Sequence, residues 1–391
     1  MKTEPISERP KISFDILDSI RGIAALYVAV AHCRGTLWIG GNEFLKLFPR
    51  NTWNVWDYLM FGSSMLTRLA VEFVIVFFVL SGFSIAYSLS ANKSPLQFYK
   101  RRFIRIYPSY VVALIWAGLV FLITYYWYPQ WYNGTFNQGA FIRTAEMKDY
   151  FRLDVILKNL FYMPGHGFIT PFWSLTYEVI FYLLAPFLMR RVKLYTIVSI
   201  VLFLINFISP SRVQSWSLPV YIYEFLFLYN IYFVAGVLLF YYYKTIENWF
   251  KNISKRVILA AIGGAVILMY AFNISLRSET VYSFLVAAVL SVLLILYFLT
   301  YQVRIKWLMG IGKFSYTLYI THFASVYLYL GFYWAIAKPA APYILNYFVW
   351  MPAVLFCLLI AYLQYTLVEK RTKKVLSSLR KKPVPAPIIS G

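Results

Sequence analysis

The stretch LDSIRGIAALYVAVAHCRG, residues 17–35, opens with the charges Asp18 and Arg21 and then runs through ten residues that are apolar or glycine apart from Tyr27. It meets a histidine at His32. A charged group and an imidazole inside an apolar run of membrane-spanning length are costly and point to function. Arg21 and His32 are eleven residues apart, so at 100° per residue they are about 20° out of register. Both therefore lie on one helix face, roughly 16 Å apart in depth. One helix offers a fixed cation near its start and a titratable ring deeper in.

The rest of the chain agrees with a membrane setting. Of 391 residues, 61% are hydrophobic, 21% aromatic and only 13% charged. Soluble domains carry about 25% charged residues. The 37 Lys and Arg outnumber the 15 Asp and Glu, for a net charge of +22. Those cations fall between apolar runs rather than in one patch, so they set orientation and do not bind nucleic acid. The two cysteines, Cys33 and Cys357, sit in apolar segments and indicate neither a disulfide framework nor a metal site.

Ten apolar segments of near-spanning length can be drawn, at about 18–38, 69–90, 107–128, 172–189, 194–208, 225–243, 256–275, 280–301, 314–335 and 343–367. The fold class predicted is all-α, a polytopic membrane protein of about ten transmembrane helices. With both termini cytoplasmic, 26 of the 37 Lys and Arg fall on the inner side, as the positive-inside rule asks. The expected division is a cytoplasmic segment 1–17, a membrane domain 18–370 and a basic, Pro-rich tail 371–391, disordered from Lys381. The first fifteen residues mix acids and bases and do not read as a signal peptide. Two outer loops, about 39–68 and 129–171, are long, and the second is rich in Tyr, Trp, Asn and Gly; a sugar site or an ordinary aromatic belt would both read this way.

Several residues could carry chemistry. His32 is a candidate general base, the plainer alternative being a core histidine satisfied by a backbone carbonyl. It lies ~21 Å above the inner start of its helix, and Glu178 lies ~9 Å below the outer start of the fourth segment. In a ~30 Å core these depths coincide, so the expectation is a pair: His32 as base, Glu178 as its orienter. The alternative for Glu178 is a structural bond to a neighbouring Tyr or Trp. Arg21 could hold a phosphate bidentately or simply pair with Asp18. The run Lys100-Arg101-Arg102-Phe103-Ile104-Arg105 suits a nucleotide-phosphate site or plain contact with anionic lipid. Ser81-Gly82 marks close helix approach, and Ser81 could also donate to a reacting oxygen. His322, about 12 Å from the inner face, is placed on the cofactor side. His166, in a Met-Pro-Gly-His-Gly loop, reads as a surface residue.

In order, LDSIRGIAALYVAVAH, FFVLSGF at 77–83, RRFIRIYP at 101–108, FWSLTYEVIFYLLAP at 172–186, GKFSYTLYITH at 312–322 and VEKRTKK at 368–374 resemble the acyltransferase-3 family of integral-membrane O-acyltransferases. The resemblance covers nearly the whole membrane portion. It implies transfer of an acyl group, usually acetyl, from cytoplasmic acyl-CoA to a hydroxyl of a carbohydrate or lipid-linked glycan, in the cytoplasmic (inner) membrane and without a metal. It implies Arg21 and His32 as the functional core, Arg102 and Arg105 as the basic RxxR element, and Glu178 as the fourth-helix acid. Catalytic roles thus go to His32, Glu178 and Arg21, and acyl-CoA binding to Arg102, Arg105, Arg21, Ser81 and His322. Two departures stand out: Ser19 and Ile20 occupy positions where many members have Gly and Leu, and Val179 stands where many carry a second acid. Direct transfer and a covalent acyl-histidine both fit. The rival class is a glycolipid transporter or flippase, against which stands the lack of a two-halved repeat.

Overall fold

The computed structural model describes residues 13–91, 94–133, 144–163, 167–275, 281–338 and 344–381. Among them there is no strand. In lipid, only a helix satisfies its own backbone within one segment, and that constraint sets the architecture. In chain order the helices are α1 (Phe14–Leu37), α2 (Gly41–Leu47), α3 (Val55–Met65), α4 (Ala70–Ala91), α5 (Pro95–Trp127) and α6 (Leu153–Leu160). Then follow α7 (Trp173–Leu188), α8 (Val192–Ile208), α9 (Pro210–Gln214), α10 (Val220–Glu224), α11 (Asn230–Tyr241) and α12 (Tyr243–Lys251). The last six are α13 (Lys255–Ser275), α14 (Val281–Thr300), α15 (Lys306–Gly312), α16 (Ser315–Ala337), α17 (Trp350–Gln364) and α18 (Lys370–Lys381).

Among the described residues, eight helical runs are long and apolar enough to cross a membrane. All ten expected segments fall on helices, and the two counts differ for identifiable reasons. Segments 172–189 and 194–208 lie in one 42-residue run, Gly167–Ile208. The first segment is helix α1, which carries Asp15, Asp18, Arg21 and Arg34 and is not among the eight. The chain is a polytopic, all-α membrane protein. The Pro-rich residues 382–391 and His166 lie outside the described residues.

Caps mark several helix starts. Asn54 and Asp57 form a reciprocal capping box at α3. Ser94 accepts from the Gln97 amide at 3.4 Å, with Pro95 in the first turn of α5. Two backbone-on-backbone contacts hold the bundle closest. A Cβ on Gly82 would sit 2.1 Å from the Phe233 carbonyl oxygen, and one on Gly236 would sit 1.9 Å from that of Val79, so α4 and α11 meet where neither has a side chain. Gly22 and Gly312 do the same for α1 and α15, against the carbonyl oxygens of Leu308 and Asp18. Nearby, the buried Ser19 hydroxyl accepts the Ile305 amide at 3.4 Å, so the serine at this position has a structural use.

α16 runs through the centre: it packs against α1, α5 and α17, and Ser315, Thr317–Leu328, Leu330 and Gly331 are buried along it. The free thiols of Cys33 and Cys357 face each other at 3.8 Å between α1 and α17.

Candidate active site

The arginine of the first helix is held before any ligand arrives. Arg21 Nη1 pairs with Asp18 one turn back at 2.8 Å, and Nη2 donates to Ser84 Oγ of α4 at 3.0 Å. Ser81, one turn from Ser84 on the same helix, donates to Glu178 Oε1 of α7 at 3.2 Å. Tyr182, one turn beyond Glu178, donates to the same carboxylate oxygen. Arg102 of α5 lies between two ring faces, its guanidinium carbon 5.7 Å from the Phe98 centroid and 5.2 Å from that of Tyr182. Among the described residues neither Arg102 nor Arg105 has a carboxylate within ion-pair distance.

Arg21, Ser81, Ser84, Arg102, Arg105 and Glu178 line one cavity, of about 830 Å³ including open solvent. Its apolar wall is Val74, Phe77, Phe78, Leu80 and Leu175, and Ser174 and Tyr319 also line it. The cavity shares Arg21, Ser84, Arg102 and Arg105 with a wider vestibule of about 2320 Å³, to which Arg101, Lys313 and Lys373 add further cations. Asp15, Asp18 and Glu369 stand among them. Glu369, at the end of a π-helical turn (Tyr365–Glu369), is neutralised locally: Lys373 pairs with it at 2.7 Å and Thr317 donates to it at 2.5 Å. The bases exceed the acids, and Arg102 and Arg105 are uncommitted, so the region suits phosphate or pyrophosphate.

The expected His32–Glu178 pair does not form. His32 Nδ1 instead meets His322 Nε2 at 2.8 Å, with the rings 9° from coplanar. The two depths coincide only if each helix starts at a membrane boundary, and α7 does not. A buried 3₁₀ segment, Gly167–Phe172, carries the chain inward before α7 begins, and the Tyr319 hydroxyl donates to Pro171 O at 2.5 Å and bonds Ser174 Oγ at 2.7 Å. The start of α7 therefore lies beside Tyr319 of α16. Glu178 is four residues further down and His322 three residues further up, about 10 Å apart along the axis.

His322 is likewise not on the vestibule. The close contact of α1 with α15 at Asp18 and Gly312 sets a common level. From there His322 is ten residues along and His32 fourteen, ~15 and ~21 Å, a gap that two side chains bridge. The pair adjoins the cavity at Tyr319, whose ring centroid is 5.9 Å from that of His322. Ser81–Gly82 has both features read from it: Gly82 packs helix on helix, and the Ser81 hydroxyl is a donor, committed to Glu178.

Some of the site escapes sequence reading. Ser84 and Tyr182 had a signal, since each lies one turn from a residue singled out, Ser81 and Glu178. Tyr319 had the same signal, three residues from His322, whereas the role of the Leu318 carbonyl, a backbone atom, leaves no mark on the side-chain pattern.

In this helical membrane protein an arginine-lined cavity lies beside a histidine pair, so an anionic ligand could be held next to two titratable rings. Comparison with known proteins narrows this reading. A family model described as an acyltransferase domain matches residues 14–376. The chain belongs to the acyltransferase-3 family, and its helices make it a multi-pass membrane member of it. It is similar to acyltransferase MdmB of Streptomyces mycarofaciens, 32% identical over 134 residues, which is 34% of this chain and 32% of that protein. It is also similar to protein 2 in the picA locus of Rhizobium radiobacter, 30% identical over 125 residues, 31% of this chain and 52% of that protein. The match thus spans a third to about half the length of these curated relatives. No solved structure matches.

Proposed function

We propose that this enzyme takes an acyl group, acetyl in the first instance, from acyl-CoA on the cytoplasmic side and passes it to a hydroxyl of a cell-surface or lipid-linked carbohydrate. The observation that carries the reading is the cation-rich vestibule sharing Arg21, Arg102 and Arg105 with a cavity lined by Tyr319, whose ring centroid is 5.9 Å from that of His322. Coenzyme A is a polyphosphate attached to a long, neutral arm. Its phosphates match Arg102, Arg105 and Arg21, and its arm matches the Val74–Phe77–Leu80–Leu175 wall. The vestibule lies at the end of the bundle that carries the N-terminus of α1 and the basic helix α18, the end that positive charge assigns to the cytoplasm of the cytoplasmic (inner) membrane. Residues 18–370 would form the catalytic unit and 371–391 a basic tail.

In the reaction, His32 takes the proton from the acceptor hydroxyl as its oxygen attacks the thioester carbonyl. The tetrahedral intermediate collapses, the C–S bond breaks, and the imidazolium returns the proton to the departing thiolate. Arg21, tied to Asp18 and Ser84, and Arg102, clamped by two rings, bind the donor at its phosphates. Glu178 no longer fits as orienter of His32. Bonded to Ser81 and Tyr182, it balances the arginines and holds the Tyr182 ring against Arg102.

The test is thiol release. Membranes holding the wild-type protein should convert acyl-CoA to free CoA thiol in the presence of an acceptor glycan extract. His32→Ala should lower the rate by about 10²–10⁴-fold, the usual contribution of a general base. A transporter would move glycolipid without releasing thiol, and that result would displace this reading.

A further inference from the structure

His32 Nδ1 bonds an imidazole rather than the expected carboxylate, and the hydrogen-bond pattern around that imidazole is directional. His322 Nδ1 lies 3.0 Å from the Leu318 carbonyl oxygen, one turn back in α16. A carbonyl only accepts, so Nδ1 of His322 carries the hydrogen. His322 is fully buried, and its ring bonds the backbone of α16, at Leu318 and Tyr319, and His32; among the described residues no carboxylate bonds it. A cationic ring there would be an uncompensated charge in an apolar interior, so the ring is neutral and Nε2 is its acceptor. His32 Nδ1, at 2.8 Å from that acceptor, must then be the donor. With the rings 9° from coplanar, the N–H of one lies in the plane of the other's lone pair.

We infer that His322 is the positioning residue of the reaction: anchored by the Leu318 carbonyl, it fixes His32 in the tautomer protonated at Nδ1 and so presents Nε2 as the basic nitrogen. This inference rests on His32 being the base. An unrestrained neutral imidazole takes either tautomer, and the one protonated at Nε2 has no lone pair to offer at that atom. Orientation through the second ring nitrogen is a general device of catalytic histidines. Here the fixed acceptor is neutral. When His32 takes the acceptor's proton at Nε2, its Nδ1–H becomes a charge-assisted donor to His322 and the bond strengthens. The proton then leaves from Nε2 to the thiolate, and His322 neither gains nor loses one.

The experiment compares variants of the full-length protein purified in detergent, with acetyl-CoA and a glycan acceptor. His322→Leu removes the acceptor and should lower kcat by about 10²-fold or more while KM for acetyl-CoA stays within about twofold. His322→Gln keeps an oxygen that accepts from His32 and an amide that donates to the Leu318 carbonyl, and should recover most of kcat. The double variant His32→Ala/His322→Leu should be no slower than His32→Ala alone. Nitrogen-15 spectra give a readout that folding defects do not imitate, because the chain has three histidines to assign. In wild type and His322→Gln, His32 should show a protonated Nδ1 and an unprotonated Nε2. The inference is overturned if His32 is protonated at Nε2 in the wild type. It is also overturned if His322→Leu keeps full kcat, or if His322→Gln is as slow as His322→Leu while its His32 tautomer is unchanged. If His32→Ala itself is fully active, the assignment of the base fails instead.

Discussion

Arg102 reaches the cavity with its charge held by ring faces rather than by a carboxylate. A planar guanidinium stacks between Phe98 and Tyr182, and an ammonium does not. Arg102→Lys should therefore raise KM for acyl-CoA about tenfold, the equivalent of ~1.4 kcal/mol, with kcat little changed. Steady-state kinetics on the purified protein check this, and an unchanged KM would remove Arg102 from donor binding. Glu178→Ala should act on the same quantity, because it frees Tyr182 from its bond and leaves the cavity's arginines without their acid. A fall in kcat at constant KM would instead restore Glu178 to the chemistry. At this scale the sequence is informative wherever a charge interrupts an apolar run. Arg21 and Glu178 stand out for that reason, Arg102 and Arg105 as part of the basic run 100–105, and the structure brings all four to one cavity. Among 35 tyrosines, Tyr182 and Tyr319 are marked only by lying one turn from Glu178 and His322, and a backbone acceptor such as the Leu318 carbonyl leaves no mark on a sequence.

Helices rather than residues decide where those groups meet. Helix existence and approximate span can be read from hydropathy because a bilayer admits little else. Relative depth is harder to read, because a helix need not start at the membrane boundary. The buried turn Gly167–Phe172 displaces α7 inward, and this alone moves Glu178 from the level of His32 to that of Arg21. The interlocked glycines give the element-scale prediction. Gly236→Ala places a methyl 1.9 Å from the Val79 carbonyl oxygen, a backbone atom that cannot turn aside, so α4 and α11 must separate. The cost should reach the upper end of overpacking, ~3 kcal/mol, and lower the melting temperature in detergent by several degrees. Gly263→Ala, where a Cβ would meet nothing within 4 Å, is the control and should melt with the wild type. Equal melting of the two variants would contradict the close approach.

The molecule as a whole carries an asymmetric charge, and that asymmetry orients it. With the vestibule cytoplasmic, a cysteine placed at Lys46 should react with a membrane-impermeant maleimide in intact cells, and one at Lys251 only after permeabilisation. Both side chains are at least half exposed, and the native Cys33 and Cys357 are buried. The reverse labelling would put the donor site on the wrong side for cellular acyl-CoA. What the acceptor is cannot be read at any scale from loops built of Tyr, Trp and Asn, whose side chains serve sugar sites and membrane interfaces alike. The most direct measurement is mass spectrometry of surface glycans and glycolipids from cells lacking this protein and cells complemented with wild type or with His32→Ala at equal membrane abundance. The expected result is an acyl mass, 42 Da if acetyl, that is lost on deletion, restored by the wild type and not by His32→Ala. Full restoration by His32→Ala, or no change in any acyl mass with a glycolipid accumulating on one leaflet, would contradict the account.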